Sequence, residues 1–235
     1  MSEKIELVDR LDTIKTYCKG KKVLHLGCSN SPYTAASIAA GSLLHFELAK
    51  VASELYGFDF DDEGLQLLRD QGTEHLYKAD LEHLEDVPLN ETFDVIVAGE
   101  MIEHLNNPGL FLTGIQRFMG PETRLVITTI NAFSGMRFFW YGLTRNHGRN
   151  EPVHPDHVAY YSYSTLSLLV RRHGLDVSKF MFYDMGAEHR PGLRFIFKLF
   201  NDLSVKFARQ YSEGVIAVCQ LAEPRRSGNG SSASA

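Results

Sequence analysis

The chain has 235 residues, of which 44% are hydrophobic and 23% charged, a balance that excludes a disordered or fibrous chain and leaves room for one full domain. A formal charge of −5 and a pI near 6.1 oppose phosphate-backbone binding, which needs clustered Lys and Arg, so nucleic acid is excluded as a partner. Cys18, Cys28 and Cys219 show no CxxC spacing, which excludes a disulfide framework or structural zinc site and fits a reducing cytoplasm.

No apolar run approaches the roughly 20 residues that span a bilayer. The first ten residues alternate charged and apolar types without the apolar centre of a secretory signal, so a cytoplasmic protein with no transmembrane segment is expected. Leu7, Leu11 and Ile14 recur at helical spacing and predict an amphipathic helix over residues 3–17. A strand follows at 21–27, stopping at Gly27 and opening into the turn-forming Ser29-Asn30-Ser31-Pro32. Runs at 54–60, 74–79, 93–98 and 124–130 read as further strands separated by helical or loop segments, which implies parallel pairing in a sheet covered on both faces.

After the fifth strand, residues 131–155 are rich in aromatics, Gly, Asn, Arg and His and suit a lid or substrate loop. A helix over about 164–173 and strands at 176–183 and 214–221 complete the pattern. Leu193, Ile196, Phe197, Phe200, Leu203 and Phe207 share a helical face beside Arg194, Lys198, Lys206 and Arg209. This predicts a helix packed on the sheet, with a lid, a homodimer face or a membrane-surface helix as alternatives. The expected organisation is one domain over 1–223, with 131–163 and 186–212 as substrate or lid insertions and Ser/Gly-rich 224–235 as a flexible tail.

Candidate chemistry sits at successive strand ends. The turn after Val23-Leu24-His25-Leu26-Gly27 would present backbone N–H groups at a helix N-terminus to an anionic ligand group, as would any plain strand-to-helix turn. Asp59, in Gly57-Phe58-Asp59, ends the second strand, where a carboxylate accepts both hydroxyl protons of a ribose; Asp61 instead suits a helix cap. Asp80 after the third strand would accept an adenine amino group, with Leu81 against the ring. Ala98 and Gly99 would admit an amino-acid portion close to the fourth strand. Together they mark one crevice at a topological switch point.

This series resembles class I S-adenosylmethionine-dependent methyltransferases, in particular the ubiquinone-biosynthesis-like O-methyltransferase group. There the first motif reads Val-Leu-Asp-Leu-Gly-Cys-Gly-x-Gly, the second strand ends in Gly-x-Asp, and the fourth motif reads Phe-Asp-x-Ile followed by Glu-His. Here the last is Phe93-Asp94-Val95-Ile96 with Glu103-His104, and the likeness covers roughly residues 20 to 130. It implies an α/β, Rossmann-like, seven-stranded, mostly parallel sheet with the last strand antiparallel. It also implies S-adenosyl-L-methionine as cofactor, held by Gly27, Cys28, Asp59, Asp80, Leu81 and Gly99, with Ser29, Phe60 and Glu100 in the same set. Two positions depart from the pattern: His25 stands where the family has Asp, and Ser29 and Ser31 where it has glycines. Glu47, His45 or Glu100 are the candidates to compensate for the missing carboxylate.

Methyl transfer to oxygen needs alignment, exclusion of water and removal of the acceptor proton, a task that suits histidine at neutral pH. His154 and His157 are the first choices as base and His104 the next, each with a loop-bracing role as its alternative. The His-x-x-His spacing also permits a metal pair, but no well-spaced third ligand is evident, so no metal is expected. Tyr160, Tyr161, Tyr163, Phe138, Phe139, Trp140 and Tyr141 would line an acceptor pocket or fill core. The expected acceptor is a hydroxyl on a small molecule or glycan. The competing class is a noncatalytic nucleoside-binding or interaction protein, while a nicotinamide dehydrogenase is disfavoured by the absence of Gly-x-Gly-x-x-Gly.

Overall fold

Strand and helix alternate because the strand segments are apolar on both sides while the intervening segments carry caps and one apolar stripe. A computed structural model describes residues 5–144, 154–184 and 195–223. Its sheet has eight strands in the order β1-β7-β8-β6-β5-β2-β3-β4. The central strands are β2 (Lys22–Leu26), β3 (Glu54–Asp59), β4 (Leu76–Lys78), β5 (Phe93–Gly99) and β6 (Met119–Ile130), all parallel to their neighbours in that group. β8 (Gly214–Leu221) runs antiparallel between β6 and β7 (Leu175–Tyr183), the expected reversal of the last strand.

The eighth strand is β1, the pair Leu7–Val8 hydrogen-bonded parallel to β7 at the sheet edge. The helix predicted over 3–17 is therefore shorter: α1 spans Arg10–Cys18, because the Asp9 side chain accepts the Asp12 N–H and starts the helix there. A hydrophobic spacing shared by a strand edge and the first helical turn concealed the break.

Residues alternate between two cores. Leu24, Leu26, Ile96, Ala98, Leu125 and Ile127 face one side, with Phe111 and Phe118. Val23, Val95, Val97, Val126, Ile216 and Val218 face the other, with Ile14 and Leu48. The long gap between Gly27 and Asp59 holds two short helices, α2 (Thr34–Ala40) and α3 (Leu44–Ala49). α4 (Asp62–Asp70) is capped by Asp61, whose carboxylate accepts from Glu63 and Gly64, and α5 (Pro108–Gly114) begins at a proline.

The segment read as a loop over 131–155 contains a helix, α6 (Gly135–Thr144). Its dense aromatics hid a helical stripe that packs on α8 (Phe195–Phe207) rather than on the sheet: Phe139 stacks on Phe200 at 3.7 Å and Trp140 meets Phe197 at 4.4 Å. Phe197 is buried there and the other three rings are half-buried between the two helices, while Phe138, Tyr141, Leu199, Leu203 and Phe207 are exposed. α7 (Tyr163–Arg172) opens with a capping box between Ser162 and Thr165. Leu193, Arg194 and the segment 224–235 lie outside the described residues. Among the described residues no helix is long and apolar enough to cross a membrane.

Candidate active site

The strand order places β3 and β4 on one side of β2 and β5 on the other, so the switch point lies between the carboxyl ends of β2 and β5. Gly27 leaves β2 at φ 69°, a left-handed conformation that favours glycine, and an added Cβ there would come within 3.8 Å of Met101 just past β5. Gly99 ends β5 with the Arg10 guanidinium, Leu44 and the Thr128 hydroxyl nearest its face. This is a backbone cradle between adjacent strand ends.

Asp59 closes it from β3. It is buried, and its carboxylate accepts the Ser29 N–H at 2.8 Å and the Asp61 N–H at 3.0 Å. The first-motif turn is thus tied to the end of the neighbouring strand. Ser29 is fully buried, and its hydroxyl lies against Gly64 at the start of α4 with no hydrogen-bond partner among the described residues, an orphaned polar atom within the first-motif turn. Phe60 is exposed, with the Lys78 ammonium 5.8 Å from its ring. The Ala79 N–H bonds to the Asp59 carbonyl at 2.8 Å, bringing Asp80 and Leu81 to the same rim. Asp80 is exposed and accepts the Glu82 N–H, and Leu81 packs on the main core. The residues present fit an adenosyl group: paired acids at adjacent strand ends, an open aromatic ring, and a glycine cradle.

Cys28 contributes differently. Its thiol packs with Leu43, Leu65 and Leu68 and is pushed up by burial, while its N–H bonds to the Phe58 carbonyl. Glu100 adopts φ 51° and accepts the Tyr183 hydroxyl at 2.7 Å, with Arg10 Nη2 3.6 Å from its other oxygen. Arg10 also donates to the Thr128 hydroxyl at 3.1 Å, so α1 delivers a cation to the cradle. Sequence reading missed Arg10; a lone arginine in a helical first turn carries no signal of the strand ends beneath it. Tyr183 fits only because residue 214 is glycine, since a Cβ there would lie 2.0 Å from the Tyr183 ring. Gly214→Ala is expected to displace Tyr183 from Glu100 and to cost about 1–3 kcal/mol, read by denaturant unfolding; wild-type stability would contradict that packing.

His25, in place of the family's Asp, pairs with His45 of α3 at 3.2 Å between Nδ1 atoms, both rings buried. Of the proposed compensating groups, Glu47 is instead taken by Lys15 and Lys50, and Glu100 by Tyr183 and Arg10. Burial pushes His45 down to about 4, and burial together with its neighbour His45 lowers His25 well below 6.5. The unfolded chain takes up protons below about 6.5 that the folded pair refuses, so stability is full above that pH and is lost as pH falls toward 4. Lowering the pH from 7 to 5 is expected to cost the wild type more melting temperature than a His25→Leu/His45→Leu double variant; an equal change in both would remove this pair as the cause. A pocket of about 410 Å³ lined by His45, Phe46, Leu55 and His75 lies on this flank, toward the amino ends of the strands and away from the crevice.

Beyond β5, residues Ile102–His104 form a 3-10 turn. Glu103 is fully buried, accepts the Thr129 hydroxyl at 2.9 Å, and is pushed up to about 7, chiefly by burial and then by the Glu100 charge. Its carbonyl accepts the Val158 N–H at 2.9 Å. That bond docks the segment 154–158 against the turn. His104, His154 and His157 come together there, with one ligand-type nitrogen from each within 4.8 Å of the others. Spacing showed only the His154–His157 pair; the third imidazole is supplied by the fold. Burial, then the neighbouring imidazoles, lowers His157 to about 4, and burial followed by His154 lowers His104. Tyr161 joins the core, Tyr163 is exposed, and Arg137 lies 5.9 Å from the Tyr160 ring centroid.

A family model described as a methyltransferase domain matches residues 5–179. The ubiquinone biosynthesis O-methyltransferase of Actinobacillus pleuropneumoniae serotype 5b is 29% identical over 133 residues, covering 52% of each chain. The chain thus spans about half the length of the curated relatives it matches. Among solved structures, a SAM-dependent methyltransferase from Archaeoglobus fulgidus aligns with a TM-score of 0.57 at 18% identity, over 90% of this chain and 91% of that one. A SAM-dependent methyltransferase from Bacteroides fragilis in complex with S-adenosyl-L-homocysteine aligns at 0.55 and 14%, over 91% and 77%. At these identities the structural likeness carries the fold.

Proposed function

The chain belongs to the methyltransferase-domain family, and from that premise we propose that it uses S-adenosyl-L-methionine to methylate a hydroxyl oxygen of a small molecule. The observation that carries the reading is the juxtaposition of the β2/β5 crevice with three imidazoles docked through Glu103 and Val158. When bound, the cofactor supplies a methyl group on a sulfonium, already a good leaving group. What remains for the chain is binding, alignment and activation of the acceptor.

In this reading Asp59 accepts the ribose hydroxyls, Asp80 and Leu81 meet the adenine, and the exposed Phe60 ring covers its face. Gly27 and Gly99 let the backbone approach, and Arg10, shared with Glu100, pairs with the cofactor's carboxylate. The histidine cluster activates the acceptor hydroxyl; His104 and His157, held neutral at pH 7, present lone pairs rather than positive charge to it. A saccharide hydroxyl is one acceptor of this kind, and the O-methyltransferase names of the relatives support oxygen as the atom modified.

The test is transfer of labelled methyl from S-adenosylmethionine to a panel of phenols, saccharides and amines, with the modified atom located by mass spectrometry. An O-methylated product is expected, and His157→Ala should lower turnover by about 10²-fold or more with S-adenosylhomocysteine affinity unchanged. Methyl found on nitrogen or carbon would overturn the oxygen assignment. S-adenosylhomocysteine bound without transfer to any acceptor would favour a noncatalytic nucleoside-binding protein.

A further inference from the structure

We propose that His104, His154 and His157 form a site for one divalent transition-metal ion, zinc being the cation best matched to three imidazoles. Three neutral nitrogen donors with a fourth position left open are the ligand pattern of catalytic rather than structural zinc. The fold assembles them deliberately. A turn closed by the His157 N–H on the His154 carbonyl, at 3.0 Å, brings the two rings of His-x-x-His to within 5.1 Å, and the Val158–Glu103 bond brings His104 to 4.5 Å from His157 and 5.9 Å from His154, ring centroid to centroid.

Two further observations favour an ion over mutual bracing. No hydrogen bond joins any two of these rings among the described residues, and the His157 Nδ1 is buried with no partner there. His154 Nδ1 accepts the Asp156 N–H at 3.3 Å, with the Asp156 carboxylate 3.8 Å away; with an ion on Nε2, Nδ1 would carry the proton and turn to that carboxylate, the kind of outer partner that orients a metal-bound imidazole. Tetrahedral zinc at about 2.0–2.1 Å from each nitrogen needs donors roughly 3.3 Å apart, so the rings close in from the 4.8 Å limit on binding, a movement open to side chains at the surface edge of this segment. Glu100 and Glu103 stay outside the donor set, held by Tyr183 with Arg10 and by Thr129.

Ion binding stands without the methyl-transfer reading. The ion's use rests on that reading and would replace direct proton abstraction by the imidazoles: at the open position it would take the acceptor oxygen and lower its pKa, the proton leaving to solvent. Untagged protein stripped with chelator is titrated with Co²⁺ alone. One equivalent is expected, with the visible absorption of a four-coordinate site, displaced by Zn²⁺. His104→Ala, His154→Ala and His157→Ala should each weaken it about 100-fold or more and Asp156→Asn about 10-fold, with S-adenosylhomocysteine affinity unchanged. His83→Ala, at an exposed histidine beside Glu85, should bind Co²⁺ as wild type. Wild-type protein that takes up no Co²⁺, or uptake undiminished in His104→Ala and His157→Ala, overturns the site. Bound Co²⁺ with no methyl transfer to any acceptor upholds the site and fails the methyl-transfer reading. Full transfer by stripped protein upholds that reading and overturns the ion's part in it.

Discussion

Asp59→Asn is expected to weaken S-adenosylhomocysteine binding about 100-fold or more, measured by calorimetry. The carboxylate ends β3 with one oxygen on the Ser29 N–H and the other on the Asp61 N–H, so its position is set from two sides before any ligand arrives. Each oxygen keeps a lone pair for a further donor. Hydrogen bonds to a charged acceptor are worth about 1.5–3 kcal/mol each, and two ribose hydroxyls would use two of them. An asparagine keeps the volume but offers one acceptor oxygen and a donor, and one of the two backbone N–H groups then meets an N–H. The turn carrying Ser29 loosens together with the ribose contact. Far-UV circular dichroism should show the fold retained, because the two cores do not depend on this side chain. Affinity within about threefold of wild type would mean that the adenosyl group binds elsewhere, and the crevice assignment would fall.

Glu103→Gln is expected to stabilise the protein at alkaline pH and leave it unchanged in acid. The folded carboxyl is raised from 4.5 to about 7, so the native state holds a proton that the unfolded chain releases across that window. Stability is therefore full below about 4.5, falls as pH rises toward 7, and is level above it. The displacement corresponds to roughly 3 kcal/mol, or roughly 6–12 °C in melting temperature for a chain of this length. Glutamine keeps an acceptor for the Thr129 hydroxyl and carries no charge to desolvate. Parallel melting profiles of variant and wild type between pH 5 and 8 would show that Glu103 is not the group responsible. The window overlaps the acid-side loss expected from His25 and His45, with opposite sign, so the variants separate the two contributions.

The strands were legible because burial on both faces leaves continuous apolar runs such as Val95 to Ala98, and because turn-forming residues stop them. Asp59 and Gly99 were legible as strand-end residues for the same reason. α6 was not, since its aromatics serve a helix partner sixty residues away, and Leu7-Val8 was not, since two residues form a strand only when β7 is there to bond them.

Local pattern thus determined which segments lie in the sheet, where each strand stops, and that acids and glycines stand at those stops, because alternation and turn chemistry act over a few residues. Tertiary structure alone decided the partnerships: His25 with His45, Arg10 over Gly99, Glu103 sealed against Thr129, and His104 beside His154 and His157. Each joins residues 20 to 90 positions apart through strand order and register, and such contacts leave no local periodicity to read.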